Sequence, residues 1–202
     1  MESKQQLFTQ VENLFMRYGI KSVTMDDVAR SLGISKKTLY QFVENKADLL
    51  QKICHQHILE EKKAMDAIMM ASKDAVHEIL GIARYVTELL RKTSPTMVYD
   101  MRKYYRDTWQ LMESLHQQHI YQVIKSNLER GISEGYYREG LNADIVAKLY
   151  VGKTSLVVDE ALFPIREYNM EILFREYIRY HIHGVASKKG MKLLEKYTKN
   201  KL

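Results

Sequence analysis

Residues 23–50, VTMDDVARSLGISKKTLYQFVENKADLL, read as three short helices separated by turns at the spacing of a helix-turn-helix. Thr24 stands where an N-cap is needed, with Asp27 three residues on, the arrangement of a capping box. Val28, Ala29 and Leu32 give the first helix one apolar face, and Gly33 supplies the turn. Ser35 caps a second helix, predicted over Lys36 to Val43. Asn45 caps a third, with Asp48 at its third position. All these signals act over three or four residues, so the local chain specifies them.

The second helix carries the chemistry. At about 100° per residue, Leu39 and Val43 point one way while Lys37, Tyr40 and Gln41 share the opposite face. Lysine bonds guanine O6 and N7, and glutamine bonds adenine N6 and N7, in the major groove. Thr38 and Tyr40 carry hydroxyls suited to phosphate oxygens. Lys46 falls in the first turn of the next helix, where the helix dipole disfavours a cation and an anion such as phosphate would compensate. A solvated helix face would also carry Lys36, Lys37 and Gln41; the capped turn just upstream favours DNA.

Working outward, Lys4 to Tyr18 forms a helix with Leu7, Val11, Leu14 and Phe15 on one stripe, stopped by Gly19 in a left-handed conformation. Leu7 to Leu50 thereby resembles the DNA-binding domain of the tetracycline-repressor (TetR) family. The resemblance is carried by Leu14, Phe15 and Gly19, then Thr24, Val28-Ala29, Gly33-Ile34-Ser35, Thr38-Leu39-Tyr40, and Asn45-Lys46 before Leu49. It implies that Thr24, Tyr40 and Lys46 hold phosphates and that residues around Lys36, Lys37 and Gln41 read bases, with Ser35 and Thr38 completing the DNA-binding set. Two positions depart from the family pattern. Lys37 stands where a small glycine is frequent, and Phe42-Val43 replaces a polar aromatic or His followed by Phe, which leaves Phe42 without a polar tip for phosphate.

The rest of the 202-residue chain also reads as helix, which makes the fold class all-α. Its two prolines, Pro95 and Pro164, fall where helical periodicity breaks, and no segment alternates with period two. Helices are predicted over Lys46–Ser72, Asp74–Arg91, Thr96–Tyr105, Arg106–Glu134, Ala143–Leu162 and Met170–Ala186. Two domains follow: residues 1–46 for DNA binding and 47–202 for ligand binding and dimerisation. The long helix from Lys46 joins them, a lever by which one could influence the other.

Composition excludes more than it assigns. Hydrophobic content of 46% and charged content of 28% suit a globular core. No run approaches ~18 uncharged apolar residues, so no membrane span is expected. The N-terminal MESKQQLFTQ lacks an apolar signal segment, and the single cysteine, Cys54, excludes an internal disulfide framework. A cytoplasmic location is expected. The net charge of +6 is not itself a DNA footprint: residues 1–46 hold seven Lys/Arg against five Asp/Glu, whereas 187–202 hold six Lys against one Glu. That Lys-rich tail reads as a solvated, partly frayed helix with Leu194 and Tyr197 packed down.

Tyr85, Tyr99, Met101, Tyr104, Tyr105, Trp109, Met112 and Tyr121 make an aromatic and methionine-rich stretch. Such residues line small-molecule pockets, although each alone could be core packing. The family resemblance implies that this region encloses an effector, and that the last two long helices pair across a two-fold axis. Leu149, Gly152, Ser155 and Leu156 on the first, with Leu173, Tyr177, Tyr180 and Gly184 on the second, are the expected homodimer interface. Two-fold symmetry lets two recognition helices read two half-sites.

Catalytic and metal motifs are not found: no P-loop, GxGxxG, G-x-S-x-G or HExxH. His116 and His119 stand at i, i+3 but lack further ligands at motif spacing. Cys54 with His55 and His57, and His181 with His183, read as packing or surface groups, and Asp26-Asp27 as helix-start carboxylates. No cofactor, metal or enzymatic activity is expected. The reading is a ligand-responsive, homodimeric regulator, most simply a repressor, that binds double-stranded palindromic DNA and is released by a small-molecule effector. A DNA-binding regulator answering to a protein or lipid partner, and a helical enzyme using the aromatic pocket, are the alternatives.

Overall fold

Apolar residues at helical spacing along almost the whole chain condense into α-helices, and the computed structural model, which describes residues 4–199 other than 158, 160 and 165, contains no strand among them. In order these are α1 (Lys4–Tyr18), α2 (Met25–Ser31), α3 (Lys36–Leu39), α4 (Lys46–Ala71), α5 (Ala75–Lys92), α6 (Pro95–Tyr104), α7 (Arg106–Ser133), α8 (Ala143–Val157), α9 (Met170–Val185) and α10 (Lys188–Lys199). The fold is all-α, as expected.

The chain divides into two compact units that do not follow chain order. Unit 1 comprises residues 1–63 and 92–116; unit 2 comprises 64–91 and 117–202. The divisions fall within α4 and α7 and near the end of α5. The helix-turn-helix therefore shares its unit with α6 and the start of α7.

Unit 1 is built on Val11, Phe15, Ile20, Val28, Leu39, Leu49, Leu50 and Ile53, all buried, with Met101 of α6 joining the same cluster. Gly19 (φ 79°) ends α1 and Gly33 (φ 64°) makes the turn between α2 and α3, both in the left-handed region that glycine enters without a Cβ penalty. At Gly19 a Cβ would also press on Asp100 and Thr96 of α6, each 3.2 Å away.

Unit 2 buries Ala75, Val76, Ile79, Ile124, Leu128, Tyr150, Phe174, Ile178 and Ile182. Within it Tyr137 Oη donates to Asn127 Oδ1 at 2.9 Å, and Asn127 Nδ2 donates to the Ala75 carbonyl at 2.9 Å. Arg130 joins Glu78 at 2.8 Å and Glu134 at 2.7 Å. Leu194 and Tyr197 of α10 pack on this core, and Tyr197 Oη donates to Asp74 at 2.5 Å. The tail is thus docked along its apolar stripe.

Two helices end several residues before the periodicity predicts. The second recognition-region helix stops at Leu39, and the chain tightens into i→i+3 bonds from Gln41 N–H to the Thr38 carbonyl and Phe42 N–H to the Leu39 carbonyl. α8 ends at Val157, where the prediction runs to Leu162. The chain there turns through Asp159, whose carboxylate accepts from Ala161 N–H at 2.9 Å, a local bond that competes with helix.

Candidate nucleic-acid interface

Three caps hold the helix-turn-helix in shape. Thr24 Oγ1 accepts from Asp27 N–H at 3.2 Å, and Asp27 Oδ2 accepts from Thr24 N–H at 2.9 Å and from its hydroxyl at 2.6 Å, a complete capping box. Those hydrogen bonds from Thr24 hold the Asp27 carboxyl below its ordinary range. Ser35 Oγ accepts from Thr38 N–H at 3.0 Å and lies 2.8 Å from Thr38 Oγ1. Asn45 Oδ1 accepts from Asp48 N–H at 3.0 Å, while Asp48 accepts from Glu44 N–H at 2.9 Å.

α3 is anchored by Leu39 and Val43, both buried. Lys36, Lys37, Tyr40 and Gln41 are exposed around it, Tyr40 at 43%. Lys36 forms an ion pair with Asp26 at 2.8 Å, whose hydrogen bond raises the lysine's pKa. Among the described residues Lys37 has no such ion-pair partner, and both it and Gln41 are exposed. Phe42 is partly exposed, and its carbonyl accepts from Lys52 Nζ at 2.9 Å. Lys52 also meets Asp48 at 2.7 Å, which ties the end of the motif to α4. Sequence reading missed Lys52, although its i, i+4 spacing from Asp48 was a visible signal.

Lys46 departs from the rest of the set. Its ammonium donates to the carbonyl oxygens of Ile20 and Val23 and lies 5.8 Å from the Phe15 ring centroid. Burial lowers its pKa. The partner that a cation in the first turn of α4 requires is therefore supplied within the unit by the end of the α1–α2 turn.

The eight aromatic and methionine residues divide between the units. Tyr99, Met101, Tyr104, Tyr105, Trp109 and Met112 belong to unit 1, and Tyr85 and Tyr121 to unit 2. Met101 is a core residue at 2% exposure, with Tyr105, Trp109 and Met112 packed against the same cluster as the helix-turn-helix. Tyr99 and Tyr104 are exposed at 55% and 41%. Tyr121 donates to Asp144 at 2.6 Å. A surface cleft of about 450 Å³ in unit 2 is lined by other residues, among them Gly135, Arg138, Glu139 and Lys188.

Seven of the eight expected dimer residues lie at or near the surface of α8 and α9. Leu149, Leu156 and Tyr180 are exposed, and a Cβ added at Gly152 or Gly184 would meet nothing within 4 Å. Ile145 and Ile172 extend the exposed apolar face. Tyr177 is the exception: it is buried, and its hydroxyl donates to the Tyr150 carbonyl at 2.7 Å, so it holds α8 to α9 from inside.

Among the described residues, no group of three or more His, Cys, Asp or Glu is placed to hold a metal, and no helix is long and apolar enough to cross a membrane. His116 pairs with Glu61 at 3.0 Å, and His57 with Glu12 at 3.3 Å. Cys54 is buried and free, its thiol pushed up to about 11.

Residues 12–53 match the model of the bacterial regulatory proteins, tetR family. An uncharacterized HTH-type transcriptional regulator of Bacillus subtilis, YhgD, is 29% identical over 143 residues, covering 68% of this chain and 74% of that protein. Among solved structures, a transcriptional regulator from Saccharomonospora viridis in complex with choline matches with a TM-score of 0.73 at 18% identity, over 93% of this chain and 99% of the other. FadR of Bacillus subtilis in complex with stearoyl-CoA matches with a TM-score of 0.68 at 15% identity, over 90% and 99%. These two likenesses are of fold.

Proposed function

The chain belongs to the tetR family of bacterial regulatory proteins, and from that premise we propose that it is a transcriptional repressor that binds a palindromic operator as a homodimer and leaves it on binding a small molecule. The observation that carries the reading is α3. Both sides of its turn are capped, Leu39 and Val43 anchor it, and Lys37, Tyr40 and Gln41 stand outward as base-edge and phosphate partners. Thr24, Ser35, Lys36 and Thr38 frame that face. The exposed apolar face of α8 and α9 is the proposed dimer surface, which would bring two recognition helices to two half-sites about 34–36 Å, or a multiple, apart.

The choline and stearoyl-CoA complexes of the two fold neighbours support an organic effector. We take it to be largely apolar with one or two polar groups, because an unpaired ion is costly to bury. Release needs only that the effector prefer a dimer whose recognition helices are wrongly spaced for the operator. The test is to sequence the fragments of its own genome that the purified protein selects. A shared two-fold symmetric site is expected; fragments without any common sequence would overturn the reading.

A further inference from the structure

In the same unit as the helix-turn-helix, two lysines rest on two exposed phenols. Lys21, in the turn after α1, donates its ammonium to Tyr104 Oη at 3.1 Å and sits 4.6 Å from that ring's centroid. Lys103 reaches Tyr99 Oη at 2.6 Å and lies 5.4 Å from the Tyr104 centroid on the same helix, α6. Lys21, Tyr99, Lys103 and Tyr104 are all exposed, and among the described residues neither lysine is ion-paired with a carboxylate. Asp100, the acidic residue of α6, is buried and accepts from the Lys21 backbone N–H at 2.8 Å. It is spent on fastening α6 to the turn and leaves the ammonium groups facing water.

We propose that Lys21, Tyr104 and Lys103 form a second, sequence-independent contact with the DNA backbone, flanking the recognition helix. The proposal rests on the DNA-binding reading above and extends its footprint to α6. Lys21 is three residues before Thr24, the N-cap of α2, so the two are at most about 11 Å apart along the chain. Phosphates on one strand rise about 3.4 Å each, so a duplex held at Thr24 presents further phosphates within that reach. Phenol oxygens are weak partners for two ammonium groups; phosphate oxygens make charge-assisted bonds roughly twice as strong, and the tyrosine hydroxyl can itself donate to phosphate. The two cations flank one exposed ring on an open surface, with no enclosing cavity for a small anion, and a polyanion can meet both of them. The hydrogen bond from Lys21, with the charge of both lysines, holds the Tyr104 phenol below its ordinary range.

The experiment measures the affinity of the full-length protein for its selected DNA fragment across a salt series. Wild type is compared with Lys21→Gln/Lys103→Gln, Lys103→Gln alone, Lys21→Arg/Lys103→Arg and Lys37→Ala. Loss of two phosphate contacts per protomer should make the slope of log K against log salt for the dimer shallower by about 3.6, and loss of Lys103 alone by about 1.8, with base preference unchanged and the arginine pair near wild type. The single variant touches only exposed groups, so it decides the matter if the double variant folds poorly. Gln variants with the wild-type slope, alongside an impaired Lys37→Ala, would overturn this contact and leave the recognition helix in place. Wild-type protein that binds no duplex at any salt would instead overturn the DNA reading itself, and this one with it.

Discussion

Lys46 donates its ammonium to the backbone carbonyl of Val23, and by the same group to Ile20, so the first turn of α4 is buttoned to the turn that precedes α2. The helix dipole disfavours a cation there, and two carbonyl dipoles repay it. The consequence is mechanical: the residue that caps α2, Thr24, follows directly on a carbonyl held by α4.

Lys46→Met should therefore act on stability. Leaving two half-buried carbonyls without their donor costs about 1–3 kcal/mol, read by urea unfolding. The salt dependence of DNA binding should barely change. A fully stable variant whose salt slope falls by one contact would assign Lys46 to phosphate.

Lys37→Ala and Gln41→Ala should relax preference at particular bases, each by roughly 1–3 kcal/mol for a bidentate contact. Neither side chain is packed in the core, so melting temperatures should hold. Binding-site selection with each variant reads the effect, and an unchanged consensus in both would remove α3 from the base edges.

On the proposed dimer surface, Leu149→Glu with Tyr180→Glu should shift the protein to monomer and weaken operator binding in step. Both side chains are exposed in the single chain, so the monomer should stay folded. Tyr177→Ala is the contrasting variant: it empties a core position and should lower stability by about 3–5 kcal/mol, the range for a large buried aromatic. Sedimentation and unfolding together separate the two outcomes. A charged double variant that remains dimeric would place the interface elsewhere.

Met101→Ala tests the division of the aromatic stretch. Since Met101 is buried with the helix-turn-helix core, the substitution should destabilise the protein by about 2–5 kcal/mol without any effector present. A true effector should raise the wild-type melting temperature, adding about 2.7 kcal/mol at a hundredfold excess over Kd. A Met101→Ala protein of normal stability that merely loses the effector response would make Met101 a pocket residue.

His181 predicts an acid sensitivity. Its ring is buried against Tyr150, centroids 4.7 Å apart, with Nε2 unpartnered, and burial pushes its pKa down to about 4. The unfolded chain takes up this proton near pH 6.5 and the folded chain only near 4, so stability falls as pH drops through that window, by on the order of 3 kcal/mol when complete. His181→Phe should lose less stability than wild type between pH 6.5 and 4.5 in urea titrations. His57 has the opposite sign: its hydrogen bond to Glu12 raises its pKa, so its contribution is full below pH 6.5 and lost as pH rises through the raised value. His57→Gln should narrow the wild-type advantage seen in acid.

The helix-turn-helix was legible because its instructions are local. Thr24 with Asp27, Ser35 with Thr38 and Asn45 with Asp48 are each three residues apart, and Gly19 and Gly33 act on their own backbone. A cap is decided by a hydrogen bond that a few residues can form wherever the rest of the chain lies. The amphipathic stripes of α8, α9 and α10 were legible on the same ground. Only the tertiary structure decided what meets across long separations. Asp100 reaches Lys21 and Lys46 reaches Val23, 79 and 23 residues away, and Met101 and Trp109 join the core of the DNA-binding unit. Composition marks an aromatic or a lysine as able to bury its apolar body and bond through its tip, but which core it enters, or which carbonyl it finds, depends on how distant helices pack, and that is set by the whole chain at once.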